Sequence, residues 1–396
     1  MVPRAVTNFI LSRFDMSITR LTIAIEGASG RLARTQHLPA LIQMRAEGGL
    51  VMPDGSRCIP EPILLGRQAD KMRAQAEAIG VAWSIDRAAV LADPEVSVYF
   101  DASITAGRFE RATQALQAGK HVYLEKPLSD TLEQALDLHQ LATQLNLCNG
   151  VVQDKLYLPG FHKMKKLIDD GFLGRILSVK LDFGWWVFDG MDSPSQRSSW
   201  NYRRAQGGGL ILDMFPHWCY LIERLVSPII SVTCLPRTLV PRRVDEQGHT
   251  FDVDVEDLAM AMMVLQGGIP VQVFSSWATR LRRDDMLVLQ IDGTQGSAVC
   301  GLHTCRFQSL ATTPKPSWNV AQERSEDFND QWQVVPDVDT YPNSYRRGWE
   351  QFLTHVQTRQ AFPAPFLAGA RGLQLIDACH RSHATRAWVD LPPLSA

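Results

Sequence analysis

His121-Val122-Tyr123-Leu124-Glu125-Lys126-Pro127 is the stretch that decides how this chain is read. Its first four residues make a short buried strand, which delivers a carboxylate, an ammonium group and a proline to its C-terminal end. Proline constrains the backbone beside Lys126. In open α/β sheets the C-terminal ends of the strands face the crevice that binds ligands. Further along, Gly207-Gly208-Gly209 precedes Asp213 and, one helical turn later, His217. Residues at i and i+4 share a helix face, so Asp213 is placed to orient His217 and balance its charge.

The segments around this strand alternate. Short apolar runs at 21–25, 62–66, 96–100, 121–124 and 150–152 are separated by helical patterns at 31–45, 70–79, 109–118 and 132–145. That alternation predicts a doubly wound parallel sheet, an α/β N-terminal domain spanning 20–153. Residues 46–61, with the turn Pro53-Asp54-Gly55, read as an inserted hairpin or loop. After a helix at 160–171 the pattern changes to strands from 175 to 310, broken by the helix that starts near Gly209. Period-two alternation at Val179, Leu181 and Phe183 predicts an antiparallel sheet with one face covered. Helices at 345–360 and 366–388 close an α+β domain spanning 154–396, with the last helix expected to pack back on the first domain. Residues 311–343 read as a long surface loop. Residues 1–19 read as an N-terminal arm, disordered or a start-site extension ending near Met16.

Composition excludes several classes. A chain of 396 residues, 45% hydrophobic and 21% charged, holds two full cores. Its net charge of −2 gives no footprint for nucleic acid. No apolar run reaches signal-core or transmembrane length, so no membrane partner and a cytoplasmic location are expected. The seven cysteines are scattered and odd in number, which favours free thiols over a disulfide framework. No Cys/His spacing suits zinc, and His303-Thr304-Cys305 is too isolated, so no metal is expected.

Gly27-Ala28-Ser29-Gly30-Arg31-Leu32-Ala33 lies where the first strand hands over to a helix. Glycine permits a tight turn and a close approach to pyrophosphate, which the helix N-terminus stabilises. The spacing is G-x-x-G-x-x-A, a loose variant of the dinucleotide fingerprint. At the end of the second strand stand Arg67 and, one turn on, Lys71. An acidic residue there suits a ribose hydroxyl, whereas arginine suits a 2′-phosphate, so NADP(H) is favoured over NAD(H). The candidate cofactor contacts are Gly27, Ser29, Gly30, Arg31, Leu32, Arg67, Lys71, Thr105, Glu125 and Lys126.

With these motifs in order, the chain resembles the glucose–fructose oxidoreductase/inositol dehydrogenase family (Gfo/Idh/MocA) from about residue 20 to 390. The resemblance rests on Gly27–Ala33, on 118–127, on Gly171-Phe172-Leu173-Gly174-Arg175-Ile176, on Gly207–His217 and on Ile376-Asp377-Ala378. It implies a Rossmann domain, an open-sheet C-terminal domain, and a nicotinamide cofactor in the cleft between them. It further implies hydroxyl/ketone interconversion on sugars or cyclitols. Carried over by motif, Lys126 contacts cofactor and substrate, Asp213 and His217 form the acid/base pair, and Lys155 is a basic substrate contact. Relatives also include glycosidases that use bound NAD transiently and a repressor of galactose genes, which are the alternative readings. One departure stands out. The fourth-strand loop, which in relatives begins Pro-Asn and ends in His, here reads Ile104-Thr105-Ala106-Gly107-Arg108-Phe109.

The chemistry is coherent. Oxidising a secondary alcohol needs hydride departure and removal of the hydroxyl proton. Histidine suits the proton, a carboxylate fixes its tautomer, and an ammonium group stabilises the developing alkoxide. Trp200 and Tyr202 are candidate faces for a sugar ring, while Trp185 and Trp186 suit core packing or a dimer interface. Alternating apolar residues such as Val271, Val273 and Met286 are expected on an uncovered sheet face, giving a homodimer or homotetramer.

Overall fold

The computed structural model describes residues 17–184, 188–279, 285–313, 321, 330–337, 340 and 343–394. The expected arm up to residue 16, Trp185 and Trp186, and most of the 311–343 loop lie outside the described residues.

The first sheet is built from β1 (Ile18–Glu26), β2 (Leu50–Val51), β3 (Arg57–Leu65), β4 (Ala82–Ser84), β5 (Val96–Asp101), β6 (His121–Leu124) and β7 (Asn149–Val151). Six of these strands run parallel in the order β4-β3-β1-β5-β6-β7, and β2 pairs antiparallel with the start of β3. This is the doubly wound order, with its switch point between β1 and β5. The connecting helices are α1 (Leu38–Ala46), α2 (Ala69–Ile79), α3 (Arg87–Ala92), α4 (Arg108–Gln117) and α5 (Leu132–Gln144).

Two differences from the sequence reading share one cause. The second strand was expected to start at Pro62, yet β3 begins at Arg57, and β1 begins at Ile18, inside the expected arm. Prolines at 60 and 62 argue against a central strand because they cannot donate. The free edge of β3 is unpaired between the β2 contact at Arg57–Cys58 and the β4 contact at Ile63–Leu65, so the prolines are tolerated there. The lengthened β3 then recruits Ile18 opposite Arg57.

The second half contributes α6 (Pro159–Asp169), β8 (Ile176–Gly184), α7 (Leu210–Leu225), β9 (Ile229–Arg237), β10 (Arg242–Val244), β11 (Thr250–Asp252), β12 (Leu258–Leu265), β13 (Pro270–Ser276), β14 (Leu287–Gly293), β15 (Gly296–Cys300), β16 (Cys305–Ser309), β17 (Gln333–Val334), α8 (Ser344–Thr358), α9 (Phe366–Thr385) and β18 (Val389–Asp390). Nine strands form one sheet in the order β17-β16-β15-β14-β8-β13-β12-β9-β18, antiparallel except between β13 and β8. Helix α9 packs on α7 and β9, and also on α5 and β7 of the first sheet. It therefore belongs to both cores.

The alternation along these strands is real, but its parity differs from the expectation. Val271 and Val273, at 3% and 1% exposure, lie on the covered face, and Met286 is half-buried. The open face instead presents Met260 and Met262, 44% and 55% exposed, with Leu235 and Phe274 beside Met260. A period of two identifies two faces without saying which one meets the helices. Among the described residues, all seven cysteines are buried and free, and no helix is long and apolar enough to cross a membrane.

Candidate active site

Lys126 stands at the C-terminal end of β6, where the chain turns out of the sheet. Buried Arg108 holds that turn by donating to the carbonyls of Ser103 (2.6 Å), Glu125 (2.8 Å) and Pro127. Arg108, which opens α4 after β5, is thus a clamp on the backbone around Lys126. The Glu125 carboxylate points into the core. It accepts from His37 Nε2 at 2.8 Å and from the Lys126 N–H at 3.1 Å. Trp349 Nε1–H donates to His37 Nδ1 at 3.0 Å, which leaves Nε2 as the protonated nitrogen facing Glu125. Burial disfavours the Glu125 anion, but the His37 hydrogen bond and the charges of Lys126 and Arg108 outweigh it and hold the carboxyl below its ordinary value. His37 reaches this position from a π-helical segment, Ala33–His37, where a regular helix was expected. The Glu125 side chain is therefore sequestered and is corrected as a cofactor contact.

From the turn, Lys126 Nζ crosses to α7 and donates to the Asp213 carbonyl (2.9 Å) and to its carboxylate. Arg197, from the loop before α7, donates to the other oxygen of the same carboxylate. Its guanidinium lies over the rings of Trp277 and Phe188, at 4.4 Å and 5.4 Å. Helix α7 starts where it does because Gly208 lets the chain pass the Asn201 and Trp200 carbonyls, which a Cβ would meet at 2.5–2.7 Å. Glu256 caps the helix, its carbonyl taking the Leu210 N–H (3.1 Å) and its carboxylate the Ile211 N–H (2.9 Å).

His217 does not meet Asp213. Two cations already hold that carboxylate, and charge-assisted bonds outcompete one to a neutral imidazole. The ring instead joins a closed circuit. His217 Nδ1 lies 2.7 Å from Tyr220 Oη and Nε2 lies 3.3 Å from Lys155 Nζ. Asp154 closes the circuit, accepting from the Tyr220 hydroxyl at 3.2 Å and from Lys155 Nζ at 3.4 Å. Burial, then the charges of Lys155, Lys126 and Arg197, push the His217 pKa well below its usual value. Burial also lowers Lys155, with Asp154 opposing it. Lys126 is lowered to about 8, mainly by burial, against the raising effect of Glu125.

The turn after β1 has the close backbone approach that a dinucleotide-binding turn requires. Gly27 has φ +72°, and a Cβ there would meet Ser103 N at 2.7 Å, so only glycine lets the first loop close on the β5–α4 loop. The Ala28 N–H bonds the Leu65 carbonyl (3.3 Å), which sets the end of β3 beside this turn. Arg31 and Leu32 open the following helix at the surface, where first-turn N–H groups lack intrahelical partners. Ser29 and Thr105 are half-buried, and Arg67 and Lys71 are exposed at the far end of the crevice.

Tyr202 is corrected as a substrate face. It is 1% exposed, lies under the Arg243 guanidinium (4.1 Å) and donates to the Phe188 carbonyl (2.7 Å), so it builds the wall behind the cleft. Trp200, 47% exposed, remains at the surface of the same segment. Sequence reasoning missed Asp154, Arg197 and Tyr220. Tyr220 was available from its i+3 spacing to His217 and Asp154 from its position beside Lys155, whereas nothing local marks Arg197. Among the described residues, no group of three or more His, Cys, Asp or Glu side chains is placed to hold a metal ion.

Residues 21–152 match the model of the oxidoreductase family with an NAD-binding Rossmann fold, and residues 161–299 match the GFO/IDH/MocA C-terminal domain. The chain belongs to the Gfo/Idh/MocA oxidoreductase family. A D-xylose dehydrogenase of Paenarthrobacter nicotinovorans is 42% identical over 379 residues, covering 94% of this chain and 98% of that protein. A levoglucosan dehydrogenase of Pseudarthrobacter phenanthrenivorans is 25% identical over 333 residues, covering 78% and 84%. The fold matches that of a levoglucosan dehydrogenase solved with NADH and levoglucosan, with a TM-score of 0.78 at 21% identity over 94% of this chain and 100% of that one. It also matches the yeast repressor Gal80p (Saccharomyces cerevisiae), with a TM-score of 0.74 at 14% identity over 94% and 98%.

The electrostatics of this family member give a direct test. Lys126 is expected to titrate near 8 in the ligand-free protein, against an ordinary 10.5, as read by NMR of 13Cε-labelled lysine and assigned with Lys126→Arg. The Glu125 charge favours the ammonium, so Glu125→Gln should move the midpoint lower still. A midpoint near 10.5 would contradict the burial that the geometry imposes.

Proposed function

We propose that this chain is an NAD(P)-dependent dehydrogenase that interconverts a hydroxyl and a carbonyl on a neutral sugar of the D-xylose type. The observation that carries the reading is the convergence of Lys126, from the end of β6, with Asp213 and the His217–Lys155 pair at the mouth of the crevice. The 42%-identical relative, named a D-xylose dehydrogenase, supports a sugar substrate. The pairing supports a neutral one: Lys126 and Arg197 share Asp213, and Lys155 meets Asp154, so each of these cations already has a carboxylate partner.

A nicotinamide cofactor, held at the Gly27–Gly30 turn, would supply the hydride acceptor or donor. The Lys126 ammonium stabilises negative charge on the reacting oxygen, aimed by Asp213. His217 Nε2 takes the hydroxyl proton once that hydroxyl replaces Lys155 Nζ beside it, and Lys155 then holds the oxygen from the other side. Asp213 acts on Lys126 rather than on the imidazole.

Reduced-nicotinamide absorbance should rise when the protein is given cofactor with D-xylose or another neutral sugar from a panel. A cycle with no net cofactor reduction would instead favour a glycosidase. His217→Ala and Lys126→Ala should each fold and bind cofactor yet lose at least ~100-fold in turnover. Near-normal turnover in either would sink the assignment.

Exposed Arg67 at the end of β3 supports NADP over NAD. Isothermal titration should give tighter binding of NADP, and Arg67→Asp should weaken NADP far more than NAD. Tighter NAD binding by the unaltered protein would contradict this preference.

The open sheet face with Met260 and Met262 supports assembly through that face. Light scattering at micromolar concentration is expected to give a dimer or tetramer, and Met262→Lys should weaken it. A mass near 44.3 kDa for the unaltered chain would rule assembly out.

A further inference from the structure

His217 is placed to take a proton and badly placed to keep one. Its ring is buried, and Lys155, Lys126 and Arg197 all disfavour the imidazolium. A base in that setting needs an outlet on its second nitrogen, and the circuit around the ring supplies one.

The hydrogen bonds fix its direction. Lys155 Nζ carries only donors and faces Nε2, so Nε2 is the acceptor and Nδ1 carries the hydrogen. That hydrogen points to Tyr220 Oη at 2.7 Å. The same oxygen accepts the Lys155 backbone N–H at 3.2 Å, so its own hydrogen is directed to Asp154 Oδ1, also at 3.2 Å. Asp154 opens the short helix Asp154–Tyr157 just beyond β7, and its side chain is 13% exposed. The line therefore runs from a buried nitrogen on α7 to a carboxylate of the neighbouring segment that touches solvent.

We propose that Tyr220 and Asp154 form a proton wire that empties His217 as the substrate is oxidised, a reading that rests on His217 being the base. The substrate O–H bond breaks and its proton forms an N–H bond at Nε2. The Nδ1–H bond breaks and that proton passes to Tyr220 Oη, while the Tyr220 O–H proton passes to Asp154 Oδ1. The substrate C–H bond breaks with its electron pair as a hydride, for which a bound nicotinamide would supply the acceptor. His217 ends as the other neutral tautomer, Tyr220 as a phenol and Asp154 as a neutral acid that returns the proton to water. Reduction runs the same transfers backward. Burial pushes the Tyr220 hydroxyl well above its ordinary pKa, so it relays protons without resting as an anion. Tyr220 and Asp154 act through His217 and are positioning residues of a relay.

A purely structural role would also hold the ring, so the test reads protons as well as rates. With D-xylose, or whichever sugar of the panel turns over fastest, the burst of reduced cofactor is measured in mixtures of light and heavy water. Tyr220→Phe and Asp154→Asn should each slow the burst by ~10–100-fold, at or below the lower end of the range for groups that transfer protons directly, with KM within about threefold. The proton inventory should be bowed in the unaltered enzyme, with several protons in flight, and linear in Tyr220→Phe. The double variant should be no slower than the worse single one, because both interrupt one path. Independently of turnover, 15N NMR of labelled histidine should find His217 as the Nδ1–H tautomer in the ligand-free protein. An unaltered burst rate in Tyr220→Phe, an unchanged bowed inventory, multiplicative losses in the double variant, or an Nε2–H tautomer would overturn the wire. His217→Ala separates the two levels. Near-normal turnover there overturns the base itself, whereas loss there with a normal Tyr220→Phe overturns the wire alone.

Discussion

The Lys126–Asp213 ion pair ties the nucleotide-binding half of this protein to its second half. Lys126 leaves the end of β6, crosses the cleft and binds both the carbonyl and the carboxylate of Asp213 in the first turn of α7. Burying an ammonium group is costly unless it is paired and hydrogen-bonded, and here the cost appears as a pKa lowered to about 8. The surrounding structure is arranged to sustain that placement. Arg108 clamps the backbone on either side of Lys126, the Glu125 carboxylate is held by His37, and Arg197 takes the second oxygen of Asp213. One carboxylate shared by two cations fixes both of their side chains across the cluster.

That balance divides the labour differently from a simple acid–base dyad. Asp213 is committed to Lys126 and Arg197, so His217 takes its orientation from Tyr220, Asp154 and Lys155. The imidazole stays neutral among cations, and a neutral imidazole can accept a proton on one nitrogen while donating on the other. The glycine turn at Gly27 meets the Ser103 loop at the switch point between β1 and β5, and Lys126 stands at the end of β6, next to β5 in the same sheet.

Much of this was legible in the residues. The α/β alternation, the change to a strand-rich second half and the glycine turn at Gly27–Gly30 follow local rules of pattern and spacing, whereas placing Lys155 with Lys126, Asp213 and His217 rested on the family resemblance. The misreadings also share a pattern. Val271 and Val273 alternate as expected but face the helices, and Tyr202 lies under Arg243 instead of lining the cleft. The Asp213–His217 spacing is correct for one helix face, yet the partner of each is elsewhere.

The sequence by itself determined which backbone elements form and where reactive groups sit along them, because periodicity, glycine turns and strand ends act over a few residues. Only the tertiary structure decided which partner each charged group takes. Arg197 reaches Asp213 from a loop with no local signature, and His37 reaches Glu125 from a locally widened helix turn. Asp154 reaches Tyr220 from the short helix after β7, 66 residues earlier in the chain. Electrostatic pairing depends on distance through space and on burial, and neither is encoded in the spacing of residues along the chain.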